Sequence, residues 1–348
     1  MGAVGCRSKF CLSSTKRHCG EFEEEDRQAI FKNFWDFPSW SARQSFVSLL
    51  TCVGEKKIIK NHAMGNPIEY YLKKKDGKKL QDRARAEKDE DKKSALSLHD
   101  ESMSVWTFDT QSVILCPQTK ASALYFRTKL QVHNLTFYNN CTRDSFCYYW
   151  DESEGELKAG NFASLQYYHF KTFLASNPHI KTLVLWSDGC LYQNKNACLA
   201  NCYSQLALES KVDLFQKYLA VGHTQMECDS MHSVIERNMV CDIHTPNDLR
   251  IVMETARRNP SPYFVKQIKH TDFKTMSTSR FNSIRPGRKA GDSVVTQLSH
   301  IHYTSTGQIL YKVFHENEDW RNLPVRIANI AKEDVEWKPM YSSRLKIT

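Results

Sequence analysis

From Ser104 onward the chain alternates between two hydrophobic textures. Short apolar runs bounded by polar turns read as strands: Val105–Asp109, Leu124–Tyr138, Phe146–Trp150, Leu183–Trp186 and Val212–Val221, with Val113–Leu115 a shorter apolar run after the first. Segments whose apolar residues recur three and four apart read as helices. Asn161–Ser176 does so through Phe162, Leu165, Tyr168, Phe173 and Leu174, and Asn196–Glu209 and Cys228–Met239 follow it. The strands before Asn161 are predicted to pair as an antiparallel meander. The expected order is strand, strand, strand, helix, strand, helix, strand, helix. Beyond it, Thr245-Pro246-Asn247-Asp248 opens a further helix, with Leu249, Val252, Met253 and Ala256 as its apolar face and Arg257-Arg258 at its end. Strands are then predicted within Tyr263–Ile268, Val294–Tyr303 and Gln308–Phe314.

The pattern before Ser104 is different. Acidic residues from Glu21 to Asp26 open a helix whose face is Ile30, Phe31, Phe34 and Trp35, and Pro38 stops it. A second short helix carries Phe46, Val47, Leu49 and Leu50. From Lys56 to Lys93 few apolar residues interrupt the charge, which predicts either a salt-bridged helix or a linker. Four regions result: a Cys-containing leader and helical module (1–55), a charged linker or helix (56–100), an α/β core (101–260) and a β-rich C-terminal extension (261–348).

Charge and cysteine content narrow the class. The formal net charge is +9, compatible with a polyanionic partner such as nucleic acid. No apolar run of about eighteen residues occurs, so no membrane span is expected. The opening MGAVGCRSKFCLSSTKRHC has no apolar signal core, so secretion is not expected, and the 12 cysteines are read as reduced, buried or metal-bound rather than disulfide-paired. Cys6, Cys11 and Cys19, with His18, form a cluster of zinc-type ligands among basic residues; the alternative is a basic leader with spare thiols. Lysine runs at Lys73–Lys75 and Lys78-Lys79 suit nuclear targeting or a solvated face.

Candidate chemistry gathers where strands end. Leu183–Trp186 runs into Ser187-Asp188-Gly189, which puts a carboxylate at the tip of a buried strand; the plainer role for Asp188 is to start a turn or cap the next helix. Asp109 ends the first strand in the same way. Asp229, His232 and Glu236 are spaced three and four apart, so they share one face of the predicted Cys228–Met239 helix. Gln193, Asn194 and Lys195 follow Asp188 and are read either as phosphate or base contacts or as a self-satisfied helix start. Glu152, at the end of a strand, and His223, in a turn, are further candidates for substrate contact. Acids drawn from distant parts of the chain suit hard divalent cations, which take oxygen ligands and keep water and phosphate for their remaining positions. Two such ions about 4 Å apart can activate a nucleophile and stabilise the leaving oxygen of a phosphodiester.

The element order resembles the ribonuclease H-like fold of integrases and cut-and-paste transposases: a mixed sheet, β-β-β-α-β-α-β-α. That fold carries one acid on its first strand, one at its fourth, and one on the helix after its fifth. The matching positions here are Asp109, Asp188 and Glu236, with Asp229 as rival for the third. The wording is more specific. Phe108-Asp109-Thr110-Gln111, Tyr125–Leu130, His133–Thr136, Trp150-Asp151-Glu152, Ser187–Cys190 with Gln193–Asn196, and Gly222-His223-Thr224 with Asp229 and Ile235-Glu236 are similar to a metazoan family called domain of unknown function 7869. That family itself resembles a transposase core. The resemblance covers about residues 104–320 and implies DDE-type, Mg2+- or Mn2+-dependent cleavage or strand transfer on DNA in the nucleus. Two departures stand out. The glycine-rich stretch expected after Trp150-Asp151-Glu152 is replaced by Glu156–Phe162, and the region before the core is compressed. They suit the alternative of a domesticated, non-catalytic protein that binds nucleic acid or another protein.

Overall fold

The computed structural model describes residues 78–97, 101–119, 128–220, 226–276, 281–287, 289, 292–315, 319–324 and 337–347, the backbone of 67–77, and a few helical residues between 28 and 36. Cys6, Cys11, Cys19 and His223 lie outside the described residues, as does most of the expected N-terminal module. The chain divides into two compact units, Met1–Lys78 and Lys79–Thr348. The packing that positions the site lies within the second.

The second unit is a mixed α/β structure. Helix α1 (Pro67–Ser97) leads into strands β1 (Met103–Thr110), β2 (Ile114–Cys116), β3 (Leu130–Asn139) and β4 (Ser145–Asp151). Helix α2 (Ala159–Ser176), β5 (Thr182–Ser187), α3 (Ala197–Ser210), β6 (Asp213–Tyr218), α4 (Glu227–Asn238) and α5 (Pro246–Thr255) follow. Strands β7 (Phe264–Gln267), β8 (Lys274–Met276), β9 (His300–Tyr303), β10 (Ile309–Lys312), β11 (Arg321–Asn322) and β12 (Trp337–Pro339) complete the described elements.

Ten strands form one sheet in the order β11-β10-β9-β6-β5-β1-β3-β4-β7, with β2 beside β3; β8 and β12 pair separately. Strands β1, β3 and β4 are the antiparallel meander, and β5 and β6 run parallel to β1. The strands expected as a C-terminal extension belong to this same sheet. Strand β7 pairs with β4 at one end, and β9 pairs with β6 at the other.

The central strands are apolar on both faces because helices cover both. On one face Trp106, Phe108, Leu183 and Leu185 pack with Phe162 and Phe170 of α2 and Leu199 and Tyr203 of α3. On the other, Val105, Val132, Val184 and Trp186 pack with Met231 and Ile235 of α4, Leu249 and Met253 of α5, and Ala84 of α1. Helix starts are chemically fixed. The Asn196 side chain accepts from Leu199 N at the head of α3. At α5, Asp248 accepts from Thr245 N, the Thr245 hydroxyl accepts from Asp248 N, and Pro246 occupies the first turn.

Helix α1 meets the sheet through charge rather than oil. Lys217 Nζ of β6 lies 2.7 Å from Glu87 Oε1 and 2.8 Å from Asp91 Oδ2, and Trp186 Nε1 donates to Asp91 Oδ2 at 2.8 Å. Burial works against the Glu87 charge, but hydrogen bonds from His300 and His315 and the nearby Lys217 hold it well below the usual carboxylate range. Burial pushes Asp91 the other way, upward, despite Lys217. Further along, Lys88 Nζ reaches Glu227 Oε2 at the start of α4, 3.0 Å away.

Candidate metal centre

The parallel register of β1 and β5 sets the geometry. Thr107 pairs with Trp186. Asp109 and Asp188, each two residues further on, therefore end neighbouring strands at one height and on one face. That face is the one α4 covers. Helix α4 starts with Glu227, so Asp229 falls in its first turn, where its Oδ2 accepts from Met226 N at 2.8 Å. The cap fixes the carboxylate while leaving its second oxygen unbonded among the described residues.

Asp109, Asp229 and His232 bring ligand atoms within 4.8 Å of one another. Asp188 stands beside this trio. Burial, together with the negative charges of Asp188 and Asp229, pushes the Asp109 carboxyl up to about 7, although Thr110 N donates to its Oδ1. Asp188 is held by two bonds on Oδ1, from Asn194 Nδ2 at 2.6 Å and Cys190 N at 3.2 Å.

His232 Nε2 lies 2.8 Å from the Thr136 hydroxyl, which donates in turn to the Asp109 carbonyl oxygen at 3.0 Å. Thr136 has one hydroxyl proton, so Nε2 carries the hydrogen between them and Nδ1 keeps a lone pair. Burial lowers the ring's pKa to about 4, against the pull of Asp229 and Glu236, so the imidazole is neutral at neutral pH. Two carboxylates and a neutral imidazole, with the Asp188 charge nearby, form a donor set suited to a divalent cation.

Of the two acids the helix face offers, Asp229 joins the trio. Glu236 lies two turns on at the exposed rim, where its Oε1 accepts from Gln111 Nε2 at 3.2 Å. The residues after Asp188 turn inward. Asn194 is buried and clamps Asp188, and its carbonyl accepts from Gln216 and Tyr218. Lys195 Nζ is buried against Leu298 O at 2.6 Å and over the Tyr218 ring, and burial lowers its pKa to about 8 against the pull of Asp188. Gln193 is buried and donates to the Tyr192 hydroxyl. These three side chains, read either as phosphate or base contacts or as a self-satisfied helix start, turn inward and support the end of β5. Glu152 accepts from Gln131 N, in a turn beside β3, outside the trio.

Thr136 and Gln111 are parts of the site that residue-type reasoning does not single out. Neither a threonine nor a glutamine signals metal chemistry by type. Arg237 is another. With Asp229, Ser230, Ser233 and Val234 it lines a shallow, open cleft of about 340 Å3 along α4.

The second unit is thus an α/β protein with a mixed sheet and an acid–imidazole cluster at the ends of its parallel strands. Residues 165–291, from within α2 past α5, match a family model described as a domain of unknown function, DUF7869. That span includes Asp188, Asp229, His232 and Glu236. No curated protein matches the chain.

Proposed function

We propose that the second unit is a ribonuclease H-like, transposon-derived domain that cleaves or joins DNA phosphodiesters with divalent cations and acts in the nucleus. The observation that carries this reading is the convergence of Asp109, Asp229 and His232, with the Asp188 charge close enough to Asp109 to help destabilise it as an anion. The strand order β4-β3-β1-β5-β6, with acids ending β1 and β5, supports the ribonuclease H-like assignment.

Asp109, Asp188, Asp229 and His232 would hold the cation. When bound, a divalent cation supplies Lewis-acid charge to a phosphoryl oxygen and lowers the pKa of a coordinated water. The imidazole in the set favours Mn2+ over Mg2+, which prefers oxygen alone. Asn194 orients Asp188, and Thr136 orients His232. Arg237, in the cleft that Asp229 also lines, is placed to meet a phosphate.

A second reading is binding without catalysis, which the net charge of +9 also suits. The test is nicking and strand transfer on labelled DNA with Mn2+ or Mg2+, wild type against Asp188→Ala. The expected result is metal-dependent cleavage that falls at least roughly 100-fold in the variant. Salt-sensitive DNA binding with no cleavage by wild type would favour the second reading, and neither binding nor cleavage would sink both.

A further inference from the structure

A second cluster lies away from the first, beneath α1. Glu87, His300 and His315 bring ligand atoms within 4.8 Å of one another. They come from three remote parts of the chain: α1, β9 and the segment after β10. His300 Nε2 is 2.8 Å from Glu87 Oε1, and His315 Nδ1 is 2.9 Å from Glu87 Oε2. Both imidazoles are nearly buried, with side chains 4% and 6% exposed, and Glu87 is 24% exposed. The indole of Trp186 lies parallel to the His315 ring and forms one wall.

We propose that Glu87, His300 and His315 form a structural site for a zinc-class divalent cation that ties α1 to the sheet. Two features point there. Two imidazoles and one carboxylate are a recurrent zinc donor set, softer than the carboxylate-rich trio at Asp109. The other ring nitrogen of His300 is already oriented, since Nδ1 lies 2.8 Å from the Ser299 hydroxyl, which itself reaches Lys312 O. Outer-shell bonds of that kind fix the ring of a metal-bound histidine.

The site is independent of the proposed DNA chemistry, and its test needs no activity. Metal-free full-length protein is titrated with Co2+ and followed by visible absorption, then competed with Zn2+. The expected result is intense low-symmetry absorption saturating at one equivalent and displaced by Zn2+. His315→Gln and Glu87→Gln should each weaken Co2+ binding by roughly 100-fold or more, since even outer-shell losses cost roughly 10–100-fold. Asp229→Asn should leave the absorption in place. Absorption unchanged in His315→Gln, or none in wild type, overturns the site and leaves a hydrogen-bonded ion-pair network as the account of the cluster. Should the variants fail to fold, X-ray absorption of the cobalt-loaded wild type decides: two imidazoles on the tightly held ion support the site, and fewer overturn it.

Discussion

Asp109 carries the least comfortable charge at the strand ends, and that discomfort is measurable. Its carboxyl titrates near an ordinary value of about 3.9 in the unfolded chain but at about 7 in the fold. Between those values the folded state binds more protons than the unfolded one. Stability therefore falls as pH rises from roughly 4 to roughly 7 and levels off above that. Asp109→Asn should remove this component of the slope and stabilise the protein at pH 7.5 in chelator by a few kcal/mol, since each tenfold difference in proton affinity is worth about 1.4 kcal/mol. Saturating Mn2+ should flatten the wild-type slope. Denaturant titrations at pH 4.5 and 7.5 check this, and parallel slopes for wild type and variant would refute it. The same residue shows what the sequence could reveal. Asp109 and Asp188 are legible because each ends an apolar run. The third acid is not. Asp229 and Glu236 share a face by periodicity, yet they stand seven residues apart, about 10 Å along a helix. Only the height at which α4 starts over the sheet selects between them. Nor does spacing reveal that Asn194 and Lys195 turn inward, since a polar run after a strand reads the same whether its side chains face solvent or the interior.

Helix α1 is the element that hydrophobic patterning describes least well. Its sequence offers no apolar stripe, so a solvated helix or a linker is the natural expectation. In the fold, the face carrying Ala84, Glu87, Lys88, Asp91 and Ala95 lies inward, and ion pairs do much of the work that leucines do elsewhere. Periodicity in charge is present, but charge by itself does not distinguish a buried face from a wet one. The joint with α4 tests this reading. The Lys88 side chain is 7% exposed against Glu227 at 20%, with Lys92 a more distant second partner at 3.5 Å. Burial opposes the Glu227 charge, but Lys88 outweighs it and keeps that pKa below the usual range. Lys88→Met alone strands a half-buried carboxylate and should cost about 2–3 kcal/mol, less than the loss from a fully buried pair because Lys92 and solvent remain. Lys88→Met with Glu227→Leu should recover most of that, because an apolar replacement of both partners carries no desolvation penalty. Urea midpoints for the single and double variants give the comparison. A double variant as unstable as the single would show that the joint does not rest on this ion pair.

At the scale of the molecule, the sheet joins segments that local pattern keeps apart. Each strand from β1 to β6 is visible as an apolar run, and β7, β9 and β10 are visible too, but pairing partners are a long-range property. Alternation says which face a residue takes, not which edge its strand will meet. A boundary near residue 260 follows naturally from the sequence, where the helical texture gives way to short strands. In the fold, the segments beyond it cover both ends of the core: β7 pairs with β4, and β9 with β6. They also contribute Ile268, Phe273, Phe281, Leu298, Ile301 and Tyr303 to the core on the α2/α3 face. Each such side chain contributes roughly 1.5–3 kcal/mol by burial. Together these rival the whole net stability of a domain, about 5–15 kcal/mol. A chain cut after Pro260 should therefore lose cooperative folding and not merely soften. It would also bare β4 and β6 as unpaired edges, which invite strand addition between molecules. The expected outcome is insoluble or oligomeric protein, with no single unfolding transition by circular dichroism. A soluble monomer that unfolds cooperatively would mean that the strands beyond residue 260 decorate a core complete without them.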